Sequence, residues 1–129
     1  MKYAIRSVAI LAVVVAMTGC PSGPPTLAIG TWLFTISETG MADQHPSLTL
    51  LAGGQTQEPM PMPPQADSTF SGTLTWQQNG SSFVLNQVIS VNNELQYAGT
   101  VQTSTSMSGT WMRTAGGIDS GTWSATRLP

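Results

Sequence analysis

Lysine is nearly missing from this 129-residue chain: Lys2 is the only one, and the other cations are Arg6, Arg113 and Arg127. Charged residues of both signs make up 8% of the sequence, too few to form a basic stripe. Past residue 19, Arg113 and Arg127 face Glu38, Asp43, Glu58, Asp67, Glu94 and Asp119, a formal charge of −4. Such a surface repels nucleic acid and offers nothing to anionic headgroups. The single cysteine, Cys20, rules out an intramolecular disulfide. With one histidine, His45, and no lysine beyond position 2, the usual nucleophile–base pairs have almost no members. The six acids are scattered and mostly near turns, which is a poor start for paired-carboxylate chemistry. The chain therefore reads as non-catalytic and without a cofactor. Long apolar runs are also scarce. The one from Val8 to Met17 would span about 15 Å as a helix, half of the ~30 Å hydrocarbon core.

That run is preceded by Lys2 and Arg6 and followed by Met17-Thr18-Gly19-Cys20. A basic start, a short apolar stretch and a small-residue exit are the parts of an export signal. The last four residues resemble the lipobox of bacterial lipoproteins, an aliphatic residue and two small ones before a cysteine. The resemblance implies cleavage after residue 19, acylation of Cys20 on its sulfur and new amino terminus, and attachment to the cell envelope. Two or three acyl chains hold a protein on a bilayer where one binds only marginally. Pro21 stands where retention in the inner membrane typically uses Asp, which leans the expectation toward the outer membrane. Pro21-Ser22-Gly23-Pro24-Pro25-Thr26 then reads as an extended tether reaching roughly 20 Å. The expected organisation is a signal over 1–19, a lipidated tether over 20–29 and one domain over 30–129.

What the domain has in abundance is Gly-Thr followed by a large apolar residue, at Gly30-Thr31-Trp32, Gly72-Thr73-Leu74, Gly99-Thr100-Val101, Gly109-Thr110-Trp111 and Gly121-Thr122-Trp123. In a strand the first and third residues share a face and the threonine takes the other. Alternation predicts seven strands, over 30–37, 47–52, 68–76, 82–90, 94–102, 106–113 and 119–127. Turns are signalled by Glu38-Thr39-Gly40, Asn79-Gly80, Asn92-Asn93 and Gly116-Gly117. Residues 53–67, with Pro59-Met60-Pro61-Met62-Pro63-Pro64, read as a long loop. The predicted fold is all-β, an up-and-down antiparallel meander closing into a small β-barrel. A β-sandwich or open half-barrel is the alternative. Edges without lysine guards favour closure.

The opening Gly30-Thr31-Trp32 and the late Arg127 resemble the calycins, the group of lipocalins, fatty-acid-binding proteins and avidins. The resemblance implies that Arg127 packs across Trp32 and closes one barrel end. The resemblance carries over no binding residues; a binding module for a small apolar ligand predicts a cavity lined by the inward residues Trp32, Phe34, Trp76, Trp111 and Trp123. The alternatives are a structural or protein-interaction lipoprotein with a filled core, in which the proline-rich loop meets another envelope protein, and Cu(I) handling. For copper, soft thioethers and imidazole are the suitable donors, and Met41, His45, Met60 and Met62 lie in two neighbouring loops.

Overall fold

The computed structural model describes residues 27–129. The signal, Cys20 and the tether as far as residue 26 lie outside the described residues. Eight strands follow: β1 (Gly30–Ser37), β2 (Ser47–Leu51), β3 (Gln55–Gln57), β4 (Thr73–Asn79), β5 (Ser82–Ser90), β6 (Asn93–Thr103), β7 (Ser106–Ala115) and β8 (Ser120–Arg127). They form one antiparallel sheet in the order β3-β2-β1-β8-β7-β6-β5-β4. The first and last long strands are neighbours, with Trp32 opposite Arg127 and Phe34 opposite Ala125. The sheet curls into a nearly closed barrel whose seam falls between β3 and β4. Among the described residues, no helix is long and apolar enough to cross a membrane.

Two expectations change. There are eight strands rather than seven, because Gln55–Gln57 pairs with Thr49–Leu51 inside the stretch read as loop. Its residues have no apolar alternation, and its pairing comes from backbone groups and from Thr56 Oγ1 donating to the Leu74 carbonyl at 2.9 Å. The strand expected from residue 68 begins only at Thr73. At Gly72 the backbone turns to φ +80°, with the Val88 carbonyl against it, so the approach to β4 is bent. Phe70 is nevertheless buried.

The repeated tripeptide explains the tightest part of the barrel. The copies on β7 and β8 pair antiparallel in reciprocal register, Gly109 with Trp123 and Trp111 with Gly121. Each indole lies where the facing residue has no side chain. The Trp123 indole reaches past Gly109 and Gly99, and its Nε1 donates to the carbonyls of Thr110 at 3.1 Å and Ala98 at 3.3 Å. The Trp111 Nε1 donates to the Ser37 carbonyl at 3.0 Å. A methyl group on Gly109 would sit 1.9 Å from the Ala98 carbonyl oxygen, and one on Gly121 would sit 2.6 Å from the Trp111 indole nitrogen.

The rest of the interior is a continuous run of rings: Trp76, Phe83, Trp123, Phe34, Phe70, Tyr97 and Trp111 follow one another at centroid spacings from 5.3 to 6.4 Å. Several contacts are edge-on or tilted, the geometry the ring quadrupole favours. Leu48, Leu50, Leu85 and Met107 fill the remaining space and are fully buried.

One end is sealed. The Arg127 guanidinium lies 4.6 Å from the Trp32 ring centroid. Its Nε donates to the Ser104 carbonyl at 2.6 Å, Nη2 to Leu27 at 2.9 Å, and Nη1 to Ile29. The Trp32 Nε1 donates to the Ala28 carbonyl at 2.8 Å, and the Ala28 amide to Gln78 Oε1 at 2.9 Å. Residues 27–29, expected in the tether, are thus part of the barrel cap. The seam is bridged by the Trp76 indole, whose Nε1 donates to the carbonyls of Leu51 at 3.0 Å and Gln55 at 2.9 Å.

Gly109→Ala forces the β6–β7 pair apart and lowers unfolding free energy by about 1–3 kcal/mol, as overpacking does; urea unfolding followed by tryptophan fluorescence measures it. Trp76→Phe keeps a ring but loses both seam hydrogen bonds. Amide exchange should accelerate in β3 and β4 and stay unchanged in β7, and uniform acceleration would mean the seam is not a separate opening unit.

Candidate functional site

At the end opposite Arg127 the barrel is open. Its rim consists of the β1–β2 loop, the long β3–β4 loop, and the β5–β6 and β7–β8 turns. Alternation on the strands delivers the lining. Ile36 follows Trp32 and Phe34 on β1, Leu95 and Tyr97 share the inner face of β6, and Trp111 and Arg113 share that of β7. A cavity of about 150 Å³ is lined by Ile36, Leu95, Tyr97, Trp111 and Arg113 with Glu38, Met41, Ala42, Gln44 and Asp119. A second lobe of about 190 Å³ shares Ile36, Gln44, Leu95, Tyr97 and Arg113 and extends toward Phe70, Gln87 and Ile89.

The floor carries a satisfied polar chain. Tyr97 Oη donates to Gln87 Oε1 at 2.9 Å, and Gln87 Nε2 donates to the Ser71 carbonyl at 2.9 Å. Gln87 is buried, so this pairing offsets its desolvation. Burial pushes the Tyr97 hydroxyl up to about 12, although the Arg113 charge pulls the other way.

The wall carries a charged clamp. Arg113 Nε donates to Asp119 Oδ1 at 2.6 Å and Nη2 to Oδ2 at 3.0 Å, a bidentate pair, while Nη1 donates to Asn93 Oδ1. The hydrogen bond from Arg113 holds the Asp119 carboxyl below its ordinary value, and the same bond raises Arg113. The clamp ties the β5–β6 turn to the β7–β8 turn. A second clamp holds the long loop. His45 Nδ1 and Asp67 Oδ2 lie 2.8 Å apart, and the His45 amide donates to Asp67 Oδ1 at 2.8 Å. These bonds hold the Asp67 carboxyl below its ordinary value.

The five aromatics expected to line a ligand cavity therefore divide. Trp111 lines the mouth. Trp32, Phe34, Trp76 and Trp123 are packing residues of the filled barrel, buried against one another, against facing glycines or under Arg127. Arg127 packs over Trp32 as expected. The four residues considered for copper are spread out. Met41 lines the mouth, His45 is held by Asp67, and Met60 and Met62 line a separate hollow of about 110 Å³ with Ser47, Glu58, Pro59 and Thr69. Among the described residues, no three His, Cys, Asp or Glu side chains gather as a metal site would require.

Glu38, Gln87, Arg113 and Asp119 were not singled out from the sequence. The signal was present in the period-two pattern. Phe83 and Leu85 lead to Gln87, and Met107, Gly109 and Trp111 lead to Arg113. A polar residue at the last inward position marks where the interior meets water.

No protein-family model matches the chain, and neither the curated proteins nor the solved structures contain a match to it.

The raised Tyr97 value implies stability that is fully present below about pH 10, the ordinary tyrosine value, and lost as pH rises toward about 12. The measurement is urea midpoints across that range for the natural chain and for Tyr97→Phe. The alkaline loss specific to the natural chain should vanish in the variant.

Proposed function

We propose that this chain is an exported, lipid-anchored protein of the bacterial envelope, a non-catalytic calycin-like barrel that binds a small, largely apolar ligand at its open mouth. The observation that carries the reading is the contrast between the two ends. One is plugged by Arg127 and Trp32. The other opens on a cavity walled by Ile36, Leu95, Tyr97 and Trp111. The stack of Arg127 on Trp32 supports the calycin likeness, and the filled interior moves the ligand from the barrel axis to the mouth. A cavity of about 150 Å³ takes a body about the size of benzene, set between the apolar wall and the polar groups of Glu38, Gln44 and Arg113.

The anchor rests on Met17-Thr18-Gly19-Cys20. The chain enters the barrel at Leu27, at the plugged end, so an anchored molecule carries its mouth at the end remote from the tether. A protein-interaction role is favoured by one observation, the 86% exposed Met60 in the proline-rich loop. The copper reading gains no support from donors that divide between two hollows.

Two measurements test the proposal. Cys20→Ser should move the protein from the membrane to the soluble fraction of envelope extracts, and mass spectrometry of the natural protein should show a diacylated or triacylated Cys20. Ala42→Trp should fill the mouth from an exposed lining position, keep the fold and abolish binding of small aromatic ligands. Binding that survives Ala42→Trp would place the ligand elsewhere.

A further inference from the structure

The barrel is electrically polarised. Each strand end can be assigned to the mouth or to the plugged end from the meander. Glu38, Asp43, Glu58, Asp67, Glu94 and Asp119, every acidic residue of the described chain, fall at the mouth end. Arg113 is the one arginine or lysine there, and Arg127 is at the other end. Six carboxylates against one guanidinium leave the mouth at a formal −5 with His45 neutral.

The cavity itself selects for the sign of a ligand. Each of the three guanidinium nitrogens of Arg113 already donates, to Asp119 or Asn93. The Asp119 carboxylate already offsets the guanidinium charge, so an anion approaching the two remaining N–H groups would also meet Asp119. Glu38, half-buried on the cavity wall, has a carboxylate with no hydrogen-bond partner among the described residues, and its charge acts on Arg113. Tyr97 and Trp111 present aromatic walls beside it, with centroids 6.4 Å apart, and ring faces attract cations.

Resting on the mouth-binding reading, we propose that the ligand is a small organic cation, an ammonium group joined to an apolar body of about benzene size. The body enters between Ile36, Leu95, Tyr97 and Trp111, and the ammonium faces Glu38. The surrounding carboxylates raise the local concentration of cations at the opening, and Tyr97 and Gln87 keep the floor neutral.

Isothermal titration calorimetry of the full chain in phosphatidylcholine nanodiscs tests this, with empty nanodiscs subtracted. The probes share one body and differ in charge: 2-phenylethylamine, 2-phenylethanol and 3-phenylpropanoate. A carboxylate a few ångströms from an ammonium, partly screened by water, should favour the amine over the alcohol by about tenfold, with the carboxylate probe weakest. Glu38→Gln, and independently Ala42→Lys, should each cut that preference to below about threefold, as should about 1 M salt, where the screening length is ~3 Å. Equal or tighter binding of the alcohol or carboxylate probe, or a tenfold preference that survives either substitution, would overturn the cationic ligand and leave the mouth site standing. Failure of all three probes to bind the natural chain, or undiminished binding to Ala42→Trp, would remove the mouth site and this inference with it.

Discussion

Glycine facing indole is the contact on which this barrel depends. An eight-stranded sheet of this size has an interior just wide enough for side chains to fill. The tryptophans on β7 and β8 enter it because the residues that face them carry no side chain, and Trp32 on β1 enters beneath Arg127. On β7 and β8 the tripeptide Gly-Thr-Trp is its own complement when run antiparallel, with Trp111 over Gly121 and Trp123 over Gly109. The same contacts set the register. A slip of two residues keeps the same residues facing inward, yet it sets Trp111 directly opposite Trp123 and moves the glycines to face Ala125 and Arg113 instead of indoles. Polar satisfaction follows from the same approach, since the indole N–H groups reach the carbonyls of Ser37, Ala98 and Thr110 only because no Cβ intervenes.

The long strands were legible because this arrangement writes itself as a period of two. The first strand, Gly30–Ser37, and the fourth of the seven read from sequence, Ser82–Ser90, have the bounds that alternation predicted. Trp32, Phe34, Trp111 and Trp123 point inward as expected, and Leu48 and Leu50 are buried with them. Closure into a barrel was also foreseeable from edges that lack lysine. Strand Gln55–Gln57 was not, because its three polar residues pair through backbone and carry no side-chain signature. Ile89 departs from the alternation. It shares a parity with Phe83 and Leu85, but a register shift between Val88 and Ser90 interrupts the pattern, and it is 38% exposed. The mouth was illegible for a related reason. Hydrophobic alternation stops being informative where the inner face becomes polar, so Gln87 and Arg113 read as ends of strands rather than as parts of a site.

The two ends use the same residue type for different purposes. At Arg127 the guanidinium spreads over an indole and collects three carbonyls from segments that have few other partners. At Arg113 it is held by a carboxylate and an amide and ties two turns together. The first arrangement consumes the arginine as a plug. The second leaves a walled opening beside it. Fold stability and site therefore draw on separate parts of the sheet, the plug and glycine rows below and the polar rung above.

The interruption in hydrogen bonding around the sheet does not fall between the first and last long strands, β1 and β8, which are paired. Leu27 and Leu128 both belong to the plugged end, where the Leu27 carbonyl accepts from Arg127 at 2.9 Å and the Leu128 amide donates to the Thr31 carbonyl at 2.8 Å, while the break in the ladder lies between β3 and β4. Joining residue 129 to residue 27 through a peptide linker and cutting in the proline-rich loop would give a circular permutant of the barrel with every ladder intact. Its new termini would flank the mouth, so a fused reporter would sit at the opening rather than at the base.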